Sequence, residues 1–501
     1  MSRGAVAGRP IALSRIAELL ERDGRLVARP EADVEVTGIV DDSRRVRPGE
    51  LFCAWAGTEV DSHRFLSAAE AAGAVAALVE RRVDDCALPQ VVVEDGRRAA
   101  ALAAGAVFGD PAAALHLVGV TGTNGKTTTV WLLRHLLGAR WKTATIGTLG
   151  VIAEDGLPLP GSEALTTPGP VELARVLREL VDRGIEAVAM EVSSHALEQG
   201  RVHALDFDAA VFTNLSRDHL DYHGTEEAYR SAKLLLAGRL RPGGAAVINA
   251  DDPAWKGLSE STERALEFSL KSGEADVHAE AVELGPFGAR FRLAAGGDTQ
   301  EVELPLLGAF NVYNALGAGA AALAVGLSLE EVAERLNTAP QVPGRLEKIA
   351  DEPCAVLRDY AHTPDALERV LCALRPLVRG RLIVVFGAGG DRDRGKRPLM
   401  GEVAERWADL PIVTSDNPRT EDPELIIDEI VAGMSEGKHL RVTDRRAAIA
   451  RALQVARPED VIVLAGKGHE TYQVLGRERV PFDERRIVSE LVKARAGGVG
   501  A

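Results

Sequence analysis

Leu117-Val118-Gly119-Val120-Thr121-Gly122-Thr123-Asn124-Gly125-Lys126-Thr127-Thr128 runs from an apolar, β-rich stretch through a glycine turn into a helical pattern. A phosphate-binding loop needs that order of parts. Glycines let backbone N–H groups converge on phosphate oxygens, Lys126 reaches the outer phosphates of ATP, and Thr127 offers a hydroxyl to Mg2+. The first glycine of the usual pattern falls on Val120, so the match is to a variant loop with its glycine at Gly122. The candidate nucleotide-binding residues are therefore Gly122, Thr123, Asn124, Gly125, Lys126, Thr127 and Thr128. A plain glycine turn ahead of a helix is the alternative.

Outward from this loop, apolar β-rich runs at 116–121, 143–148, 187–194, 209–214 and 245–251 are separated by helical stretches. The alternation predicts a mostly parallel sheet covered on both faces. Between 277 and 306 the period drops toward two, as in Phe287-Gly288-Ala289-Arg290-Phe291-Arg292-Leu293, which predicts antiparallel hairpins appended to that sheet. Helices near 311–325 and 329–336 close the domain. Upstream, runs at 34–40, 51–56 and 91–94 with Ala-rich helical stretches such as 66–77 predict a smaller α/β unit. Downstream of a Pro- and Gly-containing linker at 340–344, strands at 355–358, 381–386, 411–415, 439–443 and 461–465 predict a third. The expected fold class is α/β with three domains, 1–112, 113–342 and 343–501, the central one carrying the phosphate loop. A chain of 501 residues exceeds what one core supports, which agrees.

With 59 Lys and Arg against 74 Asp and Glu, the net charge of −15 excludes a general nucleic-acid or anionic-membrane binder. An anionic substrate must then meet locally concentrated Arg and Lys. Cys53, Cys86, Cys354 and Cys372 lack the spacing of a zinc site and the density of a disulfide framework. They read as small buried hydrophobes in a reducing compartment. The first 27 residues hold no continuous apolar stretch of the secretory kind, and 11–20 is amphipathic. The uncharged run 315–329 is shorter than the roughly 20 apolar residues that span a bilayer and reads as a buried helix. A cytoplasmic monomer acting on small molecules, without membrane insertion, is the expectation.

Glu191 ends the apolar run 187–190, which as a parallel strand finishes at the carboxyl edge where such sheets bind ligands. It is the natural second acid for Mg2+. Ser193-Ser194-His195 follows, but a serine-hydrolase reading lacks its Gly-x-Ser-x-Gly elbow. Asp218, His219, Asp221 and His223 read equally as metal ligands and as a solvated turn with helix-capping acids. Lys233, on an expected helix over 226–240, is locally a surface lysine. Phe386-Gly387-Ala388-Gly389-Gly390 faintly resembles a dinucleotide-binding turn, yet 391–397 carries charges where a helix should pack. An ATP-gated binding or switch protein would use the phosphate loop alone.

As an ordered set, several motifs resemble the Mur ligase family, which makes amide bonds in peptidoglycan precursor synthesis and itself resembles folylpolyglutamate synthetases. They are 121–128, Glu191-Val192-Ser193-Ser194-His195, Thr213-Asn214-Leu215-Ser216-Arg217-Asp218-His219-Leu220-Asp221, Asn311-Val312-Tyr313-Asn314, Pro343-Gly344-Arg345-Leu346-Glu347 and Asp359-Tyr360-Ala361-His362-Thr363-Pro364. Within the family, Asp416-Asn417-Pro418-Arg419 resembles the diaminopimelate recognition motif, flanked in order by 389–398 and Gly466-Lys467-Gly468-His469-Glu470. A folate-extending ligase leaves 416–419 unexplained. The resemblance implies an ATP- and Mg2+-dependent ligase joining meso-diaminopimelate to UDP-N-acetylmuramoyl-L-alanyl-D-glutamate through an acyl phosphate, in cell-wall biogenesis, cell shape and cell division.

Residue by residue, the resemblance implies amino-acid contacts from Arg392, Asp416, Asn417, Pro418, Arg419, Gly466 and Glu470 in the C-terminal domain. It implies nucleotide-sugar contacts from Ser43, Thr58, Glu59, Val60, Thr166, Thr167, Ser193, Gln199 and Arg201, with the N-terminal domain holding the nucleotide sugar. Ser43 rests on the short motif Asp42-Ser43-Arg44. Asn311, Arg345 and Asp359 would border adenine, ribose and phosphates. Lys233 corresponds to the family lysine that CO2 carbamylates, a modification that would let it hold Mg2+ with Thr127, Glu191 and His219. Lys126, Glu191, His219, Lys233 and Arg345 are the implied catalytic group.

Overall fold

The computed structural model describes residues 8–497, apart from 58–59, 154–155, 160–161, 163–164 and 287. The chain packs as two compact units. The first comprises Met1–His278, Ala294–Asp298 and Asn314–Val332; the second comprises Ala279–Leu293, Thr299–Tyr313 and Ala333–Ala501.

At the centre of the first unit stands the strand His116–Thr121, paired in parallel with Ala187–Glu191 on one side and Phe207–Phe212 on the other. Thr143–Gly147 lies parallel beyond Ala187–Glu191, and Gly150–Ile152 adds an antiparallel edge. On the opposite side Leu240–Asn249, Ala265–Ser269 and the start of Val277–Gly285 continue in parallel. Every residue of Ala187–Glu191 is buried, as a strand covered on both faces must be, which is why the run is continuously apolar rather than alternating. Parallel strands end on one edge. Glu191 pairs with Val120 and Phe212 with Thr121, so the phosphate loop, Glu191 and the segment from Thr213 emerge side by side. The helix Lys126–Leu137 starts directly at the loop and buries Val130, Leu132, Leu133, Leu136 and Leu137.

The smaller sheet of this unit has the order Leu26–Ala28, Gln90–Val93, Ala76–Val79, Glu50–Ala54 and Gly38–Val40. Its last four strands are parallel. Leu13–Arg22 and Gly96–Val107 contribute Leu13, Ile16, Leu20, Ala99, Ala103 and Val107 to its core. In the second unit, Glu347–Ala350 pairs antiparallel with Ala355–Asp359, after which Val461–Ala465, Leu382–Phe386, Leu410–Val413 and Leu440–Arg441 follow in parallel. Separate apolar clusters line that sheet, one with Phe386 and Ile427, another with Ile383 and Ile449. The appended strands Val277–Gly285, Gly288–Ala295 and Asp298–Leu304 succeed one another in strand order. Burial alternates through 289–293, the period-two pattern expected there, while Phe287 lies outside the described residues.

The α/β class holds, with local departures. The helix expected over 226–240 stops at Leu234, and a strand starts at Leu240. The 3-10 turn Ala237–Arg239 lies between them, and Pro242, which bars Arg241 from the α region, accounts only for the extended backbone that follows. The stretch 66–77 is a short helix, Leu66–Ala71, and the start of a strand, Ala76–Val79, separated by Gly73 at φ 101°. The run 34–40 is split into Glu35–Val36 and Gly38–Val40, and 439–443 shrinks to Leu440–Arg441. Cys53 and Cys354 are buried as expected, but Cys86 is half-buried and Cys372 exposed. Among the described residues no helix is long and apolar enough to cross a membrane.

Candidate active site

Gly122 and Gly125 have φ of 145° and 87°, where side chains are strained. A Cβ on Gly122 would collide with Thr213 Oγ1, and one on Gly125 with Asn314 Oδ1. The loop is buttressed from a neighbouring strand end. Thr213 Oγ1 and Asn214 Nδ2 donate to Asn124 O at 2.7 and 3.1 Å, and Asn124 N donates to Asn214 Oδ1 at 3.0 Å. Thr123 N donates to Asn214 O at 2.7 Å. The Lys126 ammonium curls over the loop, donating to Gly122 O and Thr123 O at 2.8 and 2.9 Å. Thr127 and Thr128 are buried at the start of the following helix.

Glu191 is buried at the sheet edge, where its two oxygens accept from Thr148 N at 2.8 Å and Thr148 Oγ1 at 3.1 Å. A Cβ on Gly147 would strike this carboxylate, so glycine there leaves room for the Glu191 side chain. Thr148 Oγ1 lies 3.2 Å from Thr166 Oγ1, and Thr167 Oγ1 donates to Glu191 O at 2.8 Å. Ser193 N donates to Thr167 Oγ1 at 3.1 Å. Arg201 joins the group through Thr167 O at 2.8 Å and through Gln199 Oε1 at 2.7 Å, and Gln199 Nε2 donates to Tyr222 OH at 3.0 Å. Thr166, Thr167, Ser193, Gln199 and Arg201, distant in sequence, thus form one connected group beside Glu191. Burial, reinforced by the charge of Arg97, lowers the pKa of the Arg201 guanidinium.

Lys233 is 1% exposed, donates to Gly122 O at 2.7 Å, and stands 4.4 Å from the Tyr229 ring centroid. Burial first, then the positive charge of Lys126, pushes its pKa well below the usual lysine value. The expected surface lysine is therefore a buried amine bonded to the phosphate loop. Nearby, His195, His219, Tyr222, His223 and Tyr229 form a ring cluster, with His195 4.9 Å from His219 and 4.2 Å from Tyr222. Burial and the neighbouring His219 and His223 push the His195 pKa down to about 4. His219 sits at φ 52° with an exposed side chain. Ser194 is buried with its hydroxyl 2.9 Å from His223 Nε2, and Ser193 Oγ caps its helix by accepting from Ala196 N at 3.2 Å. Neither serine is presented as an exposed nucleophile.

Ser43 lies in the 3-10 turn Ser43–Arg45 and makes no hydrogen bond to the Thr166–Arg201 group among the described residues. Val60 is exposed. Thr58 and Glu59 lie outside the described residues.

In the second unit, the Arg345 guanidinium lies 4.7 Å from the Tyr360 ring centroid. Asp359 is buried and accepts from Leu346 N and Ala361 N at 2.7 and 2.8 Å, with burial raising its pKa. Asn311 Nδ2 donates to Leu307 O at 2.9 Å. Gly344 at φ 67° packs against Gly468 and His469, joining the Arg345 motif to the 466–470 loop. That loop meets the other residues expected to contact the amino acid. Asn417 Nδ2 donates to Glu470 Oε2 at 3.0 Å, and Arg419 Nη1 donates to Gly390 O at 2.7 Å. A Cβ on Gly466 would collide with Asp416 Oδ2, a buried oxygen without a hydrogen-bond partner among the described residues. Pro418 O packs on Gly390, and Arg392 stays exposed with Nη1 3.1 Å from Asp391 O. Arg397 is fully buried and ties Glu421 and Glu429 beneath this turn. Asp391, Arg394 and Arg397 thus brace the loop through Thr420, Glu421 and Glu429.

Residues 120–322 match the Mur ligase middle domain, and 344–468 match the Mur ligase, glutamate ligase domain. Over 472 residues the chain is 45% identical to the UDP-N-acetylmuramoyl-L-alanyl-D-glutamate–2,6-diaminopimelate ligase of Geobacillus kaustophilus (strain HTA426), covering 92% of this chain and 96% of that protein. The chain belongs to the Mur ligase family. Identity is also 45% over 487 residues to the protein of the same name from Gloeobacter violaceus (strain ATCC 29082 / PCC 7421), covering 96% and 98% of the two chains. A solved structure of a ligase of that name matches with a TM-score of 0.71 at 35% identity, covering 97% of this chain and all, 100%, of the other. The matched domains take in the phosphate loop, Glu191, Lys233 and the 416–419 turn of this Mur ligase.

Tyr229, Thr148 and Lys467 were not singled out by sequence reasoning. Tyr229 covers Lys233, and its OH lies 3.2 Å from Thr123 Oγ1. Thr148 holds both Glu191 oxygens. Only the run Gly466-Lys467-Gly468-His469-Glu470 marked one of these neighbourhoods.

Proposed function

We propose that this Mur ligase joins meso-diaminopimelate to UDP-N-acetylmuramoyl-L-alanyl-D-glutamate at the expense of ATP, in peptidoglycan precursor synthesis. The observation that carries the choice of amino acid is the charge layout of one turn. Arg419 spends one N–H on Gly390 O, which leaves guanidinium donors for a carboxylate. Asp416, with a partnerless buried oxygen, and Glu470 lie around the same turn and suit an ammonium. A carboxylate and an ammonium together are the far end of diaminopimelate; lysine has the ammonium alone. Relatives at 45% identity carry the diaminopimelate ligase name, which supports the same reading.

A carboxylate resists amine attack because it is already negative and lacks a leaving group. Transfer of the γ-phosphoryl group to the D-Glu side chain makes an acyl phosphate; attack by an amine of diaminopimelate then forms the amide and releases phosphate. No enzyme nucleophile is required, and the chain contributes positioning and charge. Lys126 holds positive charge over the loop, Arg345 supplies a second cation, and the Thr166–Arg201 group holds the nucleotide-sugar substrate beside Glu191. Three domains, 1–112 for the nucleotide sugar, 113–342 for ATP and 343–501 for the amino acid, divide these tasks. The working form is a cytoplasmic monomer.

Mg2+ neutralises phosphate charge when bound. It prefers oxygen donors. Glu191 and Thr127 fit it, each Glu191 oxygen keeping a lone pair beyond its Thr148 bond. Among the described residues no three His, Cys, Asp or Glu gather for a metal. An ammonium at Lys233 would repel the ion. A carbamate there would add a carboxylate, and a buried lysine is suited to the reaction because CO2 combines with the neutral amine. His219 completes the proposed set. Phosphate release that requires ATP, the nucleotide dipeptide and an amino acid, compared over a panel of amino acids, tests the proposal; release with no amino-acid dependence refutes it.

A further inference from the structure

Lys467 lies between Gly466 and Glu470, both assigned to the incoming amino acid, and has no role in that assignment. It is fully buried, yet its ammonium is well provided for. Nζ donates to Asn417 Oδ1 and to Glu470 Oε2, both at 3.0 Å, and stands 4.0 Å from Asp416 Oδ1 and 5.8 Å from the Tyr472 ring centroid. Asn417 closes the triangle, its Nδ2 donating to the same Glu470 Oε2 at 3.0 Å while Oδ1 also accepts from Val474 N at 3.0 Å. The orientation of the Asn417 amide follows: its oxygen faces two donors and its nitrogen faces a carboxylate.

The charges then add up. Asp416 and Glu470 contribute two negative charges and Lys467 one positive, leaving one net negative charge within the cradle. Arg419 supplies a positive charge on the same turn. One ammonium and one carboxylate balance that layout. Without Lys467 the cradle would hold two carboxylates with no buried counter-charge, a site suited to cations and hostile to a substrate carboxylate nearby.

Resting on the proposed ligase reading, we propose that Lys467 is a positioning residue that sets amino-acid specificity, fixing Asn417 and Glu470 and trimming the site's charge so that it selects a zwitterionic amino-acid end over an ammonium-only end. The test uses the full-length enzyme with ATP and nucleotide dipeptide, comparing wild type, K467M, E470Q and K467M/E470Q on meso-diaminopimelate and L-lysine. In K467M the ratio of kcat/KM for diaminopimelate over lysine falls at least tenfold while KM for ATP stays within twofold. In K467M/E470Q, where the cradle again carries one negative charge as in wild type, the ratio returns to within threefold of wild type. Removing both partners of a buried pair costs less than removing one, so the double variant remains informative if K467M does not fold. An unchanged ratio in a folded K467M, KM for ATP rising in step with KM for diaminopimelate, or losses that simply multiply in the double variant would each overturn the assignment. A wild type that does not use diaminopimelate fails the ligase reading itself, a result separate from these.

Discussion

Replacing Lys233 with methionine should stabilise the fold while abolishing turnover. The lysine is 1% exposed, and its three N–H donors have one carbonyl, Gly122 O at 2.7 Å, and one ring, Tyr229, close by. A buried ammonium costs several kcal/mol of desolvation, whereas one charged hydrogen bond returns about 1.5–3 kcal/mol and a desolvated cation–π contact about 2 kcal/mol. Lys126 adds repulsion, His223 bears a further unfavourable interaction with it, and Asp218 opposes. Methionine fills similar volume without charge, so K233M should gain about 1–3 kcal/mol at pH 7. The pH dependence has a definite sign. A lysine whose folded-state pKa is depressed binds fewer protons folded than unfolded, so wild-type stability rises with pH between the folded and the unfolded values. The advantage of K233M is therefore full below the depressed value and fades as pH climbs toward the ordinary lysine pKa of about 10.4. Thermal unfolding of both proteins in carbonate-free buffer at pH 7 and pH 10, with phosphate release at pH 7, measures it. A K233M that melts lower than wild type at pH 7 and keeps its activity would refute the reasoning and return Lys233 to a structural role. Lys233→Ala in the same assay should be nearly inactive and partly rescued by a short-chain carboxylate.

Lys126→Ala should lose phosphate release by about a thousandfold, as one or more charge contacts in the transition state are removed, with the fold retained and a single cooperative melting transition; a folded variant with wild-type turnover removes the phosphate-loop assignment. Arg419→Ala should lose about 3–5 kcal/mol in kcat/KM for diaminopimelate, the cost of leaving a buried carboxylate unpaired, with ATP affinity nearly unchanged. Equal losses in ATP and amino-acid use would show that Arg419 acts through the fold. Gly122→Ala combines a φ of 145° with a collision at Thr213 Oγ1, so backbone strain of about 1–3 kcal/mol should appear as weakened nucleotide binding, read by calorimetry with ATP. Wild-type affinity in that variant would mean that the loop geometry is not what holds the phosphates.

Where packing covers both faces of a strand, the chain writes it plainly. His116–Thr121 and Val461–Ala465 coincide with their expected limits because continuous apolar runs of that length have few other homes. Alanine-rich stretches do not have this property. Leu66–Ala71 and Ala76–Val79 share Ala and Leu, and Gly73 and the pairing of Ala77 with Phe52 mark where helix gives way to strand. Leu26–Ala28 and the hairpin Tyr472–Leu475 with Glu478–Pro481 are short edges whose strand character comes from a partner, not from their own pattern.

The site divides along the same line. The phosphate loop was legible because its parts are contiguous and its glycines are needed locally, for backbone geometry. Its buttress was not: Thr213 and Asn214 reach Asn124 across about 90 residues, through the register that puts Phe212 beside Thr121. Lys233 reads as a surface residue in any window of its own helix, because the groups that bury it, Gly122 and Tyr229, include one 111 positions away. Asn417 and Glu470 are separated by 53 residues and meet only because Leu410–Val413 and Val461–Ala465 flank the same strand, Leu382–Phe386, and deliver their following loops to one edge. Family resemblance supplied the members of these groups in advance. What it could not supply is how they are charged and oriented, and there the geometry adds a residue, Lys467, whose three close polar neighbours come from two loops that no local motif connects.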